Sequence, residues 1–134
     1  PFGPLLWPVR SDAMIRRGLR ATAARPVDIP DDLIAEVRGT AYRAFRATLR
    51  KNTEYLAERT VPERLAALDV PVLVVFGAAD PRWDPASAQR YGTVPGARIE
   101  MVPGVGHMPV HEAPERTARL LLDFTATASD VPDT

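Results

Sequence analysis

The spacing of hydrophobic and polar residues changes period once along this chain, near residue 68. Before that point apolar residues recur at helical intervals. Asp12 is placed to cap a helix over residues 13 to about 24, which Arg25-Pro26 ends, because a residue preceding proline avoids the helical region. Pro30-Asp31-Asp32 is a second start signal, with acids where the positive end of a helix favours them. Behind it Leu33, Ile34, Val37, Ala41, Phe45, Leu49 and Leu56 keep approximate i, i+3, i+4 spacing, and Gly39 is expected to split or kink the segment. A short helix over 62–68 follows Thr60, with Pro62 suited to a first turn.

Beyond residue 68 the pattern becomes strand-like. Pro71-Val72-Leu73-Val74-Val75-Phe76 is a continuous β-branched and aromatic run ending in glycine, as expected of a parallel strand covered on both faces. Asp84 as cap and Pro85 as first helical residue predict a helix to about Tyr91, and Val94-Pro95-Gly96 turns the chain. Residues 97–102 alternate, with Arg98 and Glu100 facing one way and Ile99 and Met101 the other, which suits a strand nearer a sheet edge. A last helix over 113 to about 126 carries Leu120, Leu121 and Phe124 on an apolar face, and residues 129–134 are expected to fray.

The downstream part is therefore a βαβα unit with two neighbouring parallel strands, joined right-handedly. Parallel neighbours lie about 4.8 Å apart, so the loops leaving their carboxyl ends emerge side by side. One loop carries Gly77-Ala78-Ala79-Asp80 and the other Gly104-Val105-Gly106-His107. A histidine with a pKa of about 6.5 can take and return a proton near neutrality. A carboxylate beside it fixes the ring tautomer and stabilises the imidazolium. Taken singly, Asp80 reads as a turn residue and His107 as an ordinary surface or core histidine. Paired in this order at the ligand-binding edge of an α/β sheet, they read as the acid and base of a hydrolytic triad. The glycines around His107 fit a loop that turns sharply and meets other backbone closely.

Composition narrows the partners. The 134 residues suit one domain, and 17 basic side chains balance 17 acidic ones. That balance predicts neither a nucleic-acid nor an anionic-membrane partner. The chain has no cysteine, which excludes disulfides, thiolate metal sites and a cysteine nucleophile. The longest apolar stretch, 70–79, falls far short of the roughly 20 residues that span a bilayer. With no signal-like opening, a cytoplasmic location is the default expectation. The start at Pro1 rather than methionine leads us to expect a piece of a longer chain, with room for a targeting segment upstream.

The segments Pro71-Val-Leu-Val-Val-Phe-Gly77-x-x-Asp80, Val102-Pro103-Gly104-Val105-Gly106-His107 and Met108-Pro109-Val110-His111-Glu112-Ala113-Pro114 resemble the C-terminal portion of the α/β-hydrolase superfamily, over about residues 62–126. The resemblance implies a partial α/β-hydrolase fold. Residues 1–64 would be a helical cap or lid segment, and 65–134 the C-terminal part of the catalytic core. It also implies that Asp80 is the triad acid and His107 the base, in the family order nucleophile, acid, histidine. The family's Gly-x-Ser-x-Gly elbow is missing, since the only serines are Ser11, Ser87 and Ser129. The nucleophile is accordingly expected upstream of Pro1, and the chain alone is expected to be inactive and unstable or aggregating. The implied substrate is a small, fairly apolar molecule, ester-like or similar, with no cofactor and no metal. An aspartate nucleophile, as in haloalkane dehalogenases and epoxide hydrolases, and a non-catalytic ligand-binding member of the fold remain alternatives. An esterase, a C–C bond hydrolase and a cofactor-free haloperoxidase fit the same residues.

The remaining polar and aromatic residues have quieter readings. His111 lies four residues beyond His107, but Pro109 opposes a helical metal pair, so it reads as a surface or rim histidine. Glu112 is expected to cap or brace the last helix, and Asp84 to cap the helix at Pro85 rather than to replace Asp80. Trp83 is a candidate to line the substrate pocket near Asp80. Trp7, Tyr42, Phe45 and Tyr55 are candidates for substrate contact, with core packing as the alternative for Tyr42 and Phe45.

Overall fold

The structure, a computed structural model, describes residues 7–129. Its elements run α1 (Asp12–Arg20), α2 (Asp31–Gly39), α3 (Tyr42–Glu58), α4 (Val61–Ala66), β1 (Leu73–Gly77), a 3-10 segment (Pro85–Thr93), β2 (Arg98–Val102), α5 (Pro109–Glu112) and α6 (Pro114–Ser129). The expected frayed tail lies, apart from Ser129, outside the described residues.

Sequence signals account for most of these boundaries. Gly39 splits the long periodic segment: it is the last residue of α2, and Thr40 is extended. Thr60 caps α4 in a reciprocal box, receiving the N3 backbone N–H while Glu63 reaches back to the Thr60 N–H at 2.7 Å. Asp84 accepts from Ala86 N at 3.0 Å, as expected of a cap before Pro85. The segment it opens is 3-10 rather than α.

Two boundaries differ from expectation. The first helix is capped by Ser11, not Asp12, and it stops at Arg20 instead of continuing to residue 24. The Thr22 hydroxyl donates back to Leu19 O at 2.7 Å, and residues 22–25 leave the helix to bond across the molecule. The expected last helix is two elements. Pro109 opens the four-residue α5, and Pro114 then starts α6, each proline lacking the N–H that a continuing helix would need.

β1 and β2 pair in parallel with Leu73 opposite Arg98, Val75 opposite Glu100 and Gly77 opposite Val102. Arg98 and Glu100 share a face, as alternation requires, and form an ion pair at 2.8 Å. Residues 73–76 of β1 are half-buried rather than enclosed on both faces, and among the described residues β1 has a neighbour on one edge only. The main hydrophobic cluster joins Ile15 of α1, Val27 and Ile29 of the connector, and Ile34 of α2, with Met108 from the His107 loop packed against it. The helical half is thus tied directly to the loop that carries the histidine. By contrast α3 buries none of its residues, and Leu121 and Leu122 of α6 are exposed.

Candidate active site

Asp80 and His107 meet. His107 Nδ1 lies 2.9 Å from Asp80 Oδ2, across the carboxyl ends of the two strands. The Asp80 side chain is 3% exposed and the imidazole 33% exposed, so the carboxylate is enclosed while the ring reaches solvent. The other oxygen, Asp80 Oδ1, accepts from Arg82 N at 2.7 Å and from Trp83 N at 3.1 Å. Burial by itself would raise the Asp80 carboxyl above 3.8. The His107 hydrogen bond and the two backbone donors outweigh it, and the net shift is downward. An ionised Asp80 accepts the Nδ1 proton, which leaves the Nε2 lone pair as the basic position of the ring.

The two loops are braced differently. The Asp80 loop forms a turn of its own, with Asp80 N donating to Gly77 O and the Asp80 carboxylate closing the next turn, and it is laced to the neighbouring loop by Ala78 N donating to Val102 O at 3.0 Å and Ala79 N to Val105 O at 2.9 Å. The His107 loop is held by distant parts of the chain. His107 N donates to Thr22 O at 3.0 Å, and the Arg25 guanidinium donates to Gly104 O at 3.1 and 2.9 Å. Gly104 turns the loop at φ +67. Gly106 is forced by proximity: a Cβ there would lie 2.5 Å from Ala24 N.

Glu112, buried at 7% exposure, completes the brace. Its Oε2 accepts from Ala24 N at 2.8 Å and Gly106 N at 2.9 Å, and its Oε1 accepts from Met108 N at 3.0 Å. Sequence reasoning assigns Glu112 to the last helix. The structure makes it the tie between residues 22–25 and the backbone on both sides of His107. These three partners are main-chain N–H groups without any sequence signature. The available hint was an acid among apolar residues immediately before Ala113-Pro114. Burial would raise its carboxyl above 4.5, but the backbone donors, Gly106 first, bring it below that value.

A cleft of about 150 Å³ opens beside the pair, walled by Val75, Phe76, Trp83 and Pro109, with Asp80 and His107 at its base. Trp83 therefore lies where the sequence suggests, although it is 54% exposed. A hollow of about 700 Å³ along Arg20, Arg25, Val27 and Asp28 is larger but contains no histidine. Chemistry, not volume, selects the small cleft. None of Trp7, Tyr42, Phe45 and Tyr55 lines it. Trp7 donates from Nε1 to Thr40 O at 2.8 Å and packs on Tyr42 and Phe45, with ring centroids 5.4 and 4.7 Å away. The Arg64 guanidinium covers Tyr55 at 3.6 Å. His111 is exposed on α5. Among the described residues no three His, Asp or Glu side chains converge as a metal site would need, and no helix is long and apolar enough to cross a membrane.

Residues 1–120 match the family model of the alpha/beta hydrolase family. The chain belongs to that family. A curated relative, the putative 2-succinyl-6-hydroxy-2,4-cyclohexadiene-1-carboxylate synthase of Bacillus subtilis (strain 168), is 28% identical over 129 residues, covering 85% of this chain and 46% of the relative. Among solved structures, a serine hydrolase involved in carbazole degradation superposes with a TM-score of 0.67 at 22% identity, over 87% of this chain and 48% of that one. A membrane phospholipase A, described as a bacterial virulence factor, gives 0.64 at 22% identity, over 96% and 41%. The two structural likenesses support the α/β-hydrolase fold. The chain spans about half the length of these relatives.

Proposed function

We propose that this chain supplies the acid and base of a hydrolase whose nucleophile lies upstream of Pro1, and that residues 1–64 form its cap. The contact between His107 Nδ1 and Asp80 Oδ2 at 2.9 Å carries the reading. In the reaction, His107 Nε2 takes the proton of the nucleophile as it attacks an acyl carbon, and later returns a proton to the leaving group. The same ring then activates the water that releases the acyl-enzyme. Asp80 keeps the proton on Nδ1 and stabilises the imidazolium, a role its enclosure and lowered pKa suit. The family's nucleophile elbow is absent from this sequence, and the chain spans about half of each relative, which supports an upstream position for the missing group. The apolar walls of the cleft, Val75, Phe76 and Trp83, favour a small substrate with a largely hydrocarbon surface.

A fluorophosphonate probe applied to the full-length protein tests this. We expect one upstream serine to be labelled, with labelling slowed about 10⁴-fold by Asp80→Asn, the scale seen when a triad acid no longer fixes the tautomer. Labelling that persists unchanged in Asp80→Asn and His107→Ala would overturn the triad assignment. No labelling, combined with an alkyl-enzyme ester on an upstream aspartate trapped in His107→Gln, would move the nucleophile from serine to aspartate.

A further inference from the structure

We infer that Glu112 is a positioning residue for His107: its buried carboxylate fixes the main chain on either side of the histidine and anchors it to residues 22–25. The inference rests on His107 being the triad base. Three consecutive backbone N–H groups are involved. Gly106 N and Met108 N both bond to Glu112, at 2.9 and 3.0 Å, while His107 N between them bonds to Thr22 O at 3.0 Å. The same carboxylate receives Ala24 N at 2.8 Å, two residues beyond the carbonyl that holds His107. The histidine backbone is therefore gripped from both sides by one segment of the helical half and one side chain.

Only a carboxylate fits this role. Its two oxygens offer about four lone-pair sites, and Ala24 N and Gly106 N occupy both of those on Oε2 while Met108 N takes one on Oε1. A glutamine of the same shape has one oxygen, and its amide NH2 would face a backbone donor. Either the Met108 contact or the Ala24 and Gly106 contacts must then break. The main chain has little space in which to adjust. A Cβ on Gly106 would stand 2.5 Å from Ala24 N, and one on Gly77 would stand 2.0 Å from Gly106 O. A loosened loop lets the imidazole swing relative to Asp80, and small misplacements of a catalytic group cost rate more than binding.

The test uses the full-length protein with Glu112→Gln, read in two ways. In solution NMR the downfield proton on His107 Nδ1 is expected to broaden or move upfield, and kcat to fall about 10- to 100-fold with KM changed less than about twofold. Ile34→Ala, which weakens the helical cluster without removing a hydrogen bond to the loop, should leave that resonance in place. If Glu112→Gln does not fold, amide exchange in the unsubstituted protein decides. The amides of Ala24, Gly106 and Met108 are expected to be protected together, and free exchange at any of them overturns the proposal. An unshifted Nδ1 proton with unchanged kcat in a folded Glu112→Gln protein overturns it too. The resonance and exchange readouts need no turnover. A protein that lacks hydrolytic activity altogether would therefore count against the hydrolase reading while Glu112 is still judged on its own.

Discussion

The Asp80 loop and the His107 loop do the same job, presenting one side chain at the end of a strand, yet the two side chains are held by different means. The Asp80 side chain is held by its own turn, where Asp80 N bonds to Gly77 O and the carboxylate gathers Arg82 N and Trp83 N, while Ala78 N and Ala79 N tie the loop to Val102 O and Val105 O. The His107 loop depends on residues 22–25, Glu112 and the bare backbone of Gly77. A side chain held by its own turn is less sensitive to change elsewhere than one whose backbone hydrogen bonds all go to distant residues. Asp80 and His107 are thus exposed to mutation unequally.

The sharpest way to break the contrast is Gly106→Ala. Its added methyl would press on Ala24 N at 2.5 Å and Thr22 O at 2.9 Å, both backbone atoms that cannot turn aside. We expect a loss of about 3 kcal/mol or more in urea unfolding, the upper range for overpacking. An acid titration of stability comes next. Asp80 and Glu112 both have carboxyl pKa values lowered by folding, from 3.8 and 4.5. Their contribution is therefore complete above those values and fades as pH falls through the lower folded ones. Unfolding free energy should drop with acidification below about pH 5, and Glu112→Gln should flatten that slope more than any surface carboxylate change. A slope unaltered by Glu112→Gln would mean that the brace carries no linkage.

Arg25→Ala probes the outer rim of the same loop. It removes two bonds to Gly104 O at an exposed site, so a loss of about 1 kcal/mol is expected, with the Asp80 turn undisturbed by NMR. The smallest effect has the reverse sign. Gly18 lies in α1, is exposed, and a methyl group added there would meet nothing within 4 Å. Gly18→Ala should add roughly 0.5–1 kcal/mol by limiting the unfolded chain, visible as a raised Tm.

The same division explains what was legible in the sequence. Strand–loop pairing around Asp80 and His107, the break at Gly39, the short helix behind Thr60 and the cap at Asp84 all depend on side chains and short spacings, and those are written in the residues themselves. The end of α1 at Arg20 and the role of Glu112 were not. Both are decided by main-chain groups of Thr22 and Ala24 reaching a loop that lies far along the chain, and any residue type other than proline offers the same N–H and C=O. The split between α5 and α6 was half legible: Pro109 and Pro114 were visible, but not that each would open a helix of its own.

The missing side chain at position 77 has a mechanical result. With the carbonyl of Gly106 seated directly on the end of β1, the stretch bearing the imidazole has no clearance to slide against the stretch bearing the carboxylate. On the proposed reading of the pair as triad acid and base, that contact helps hold the carboxylate and imidazole aligned before any ligand arrives.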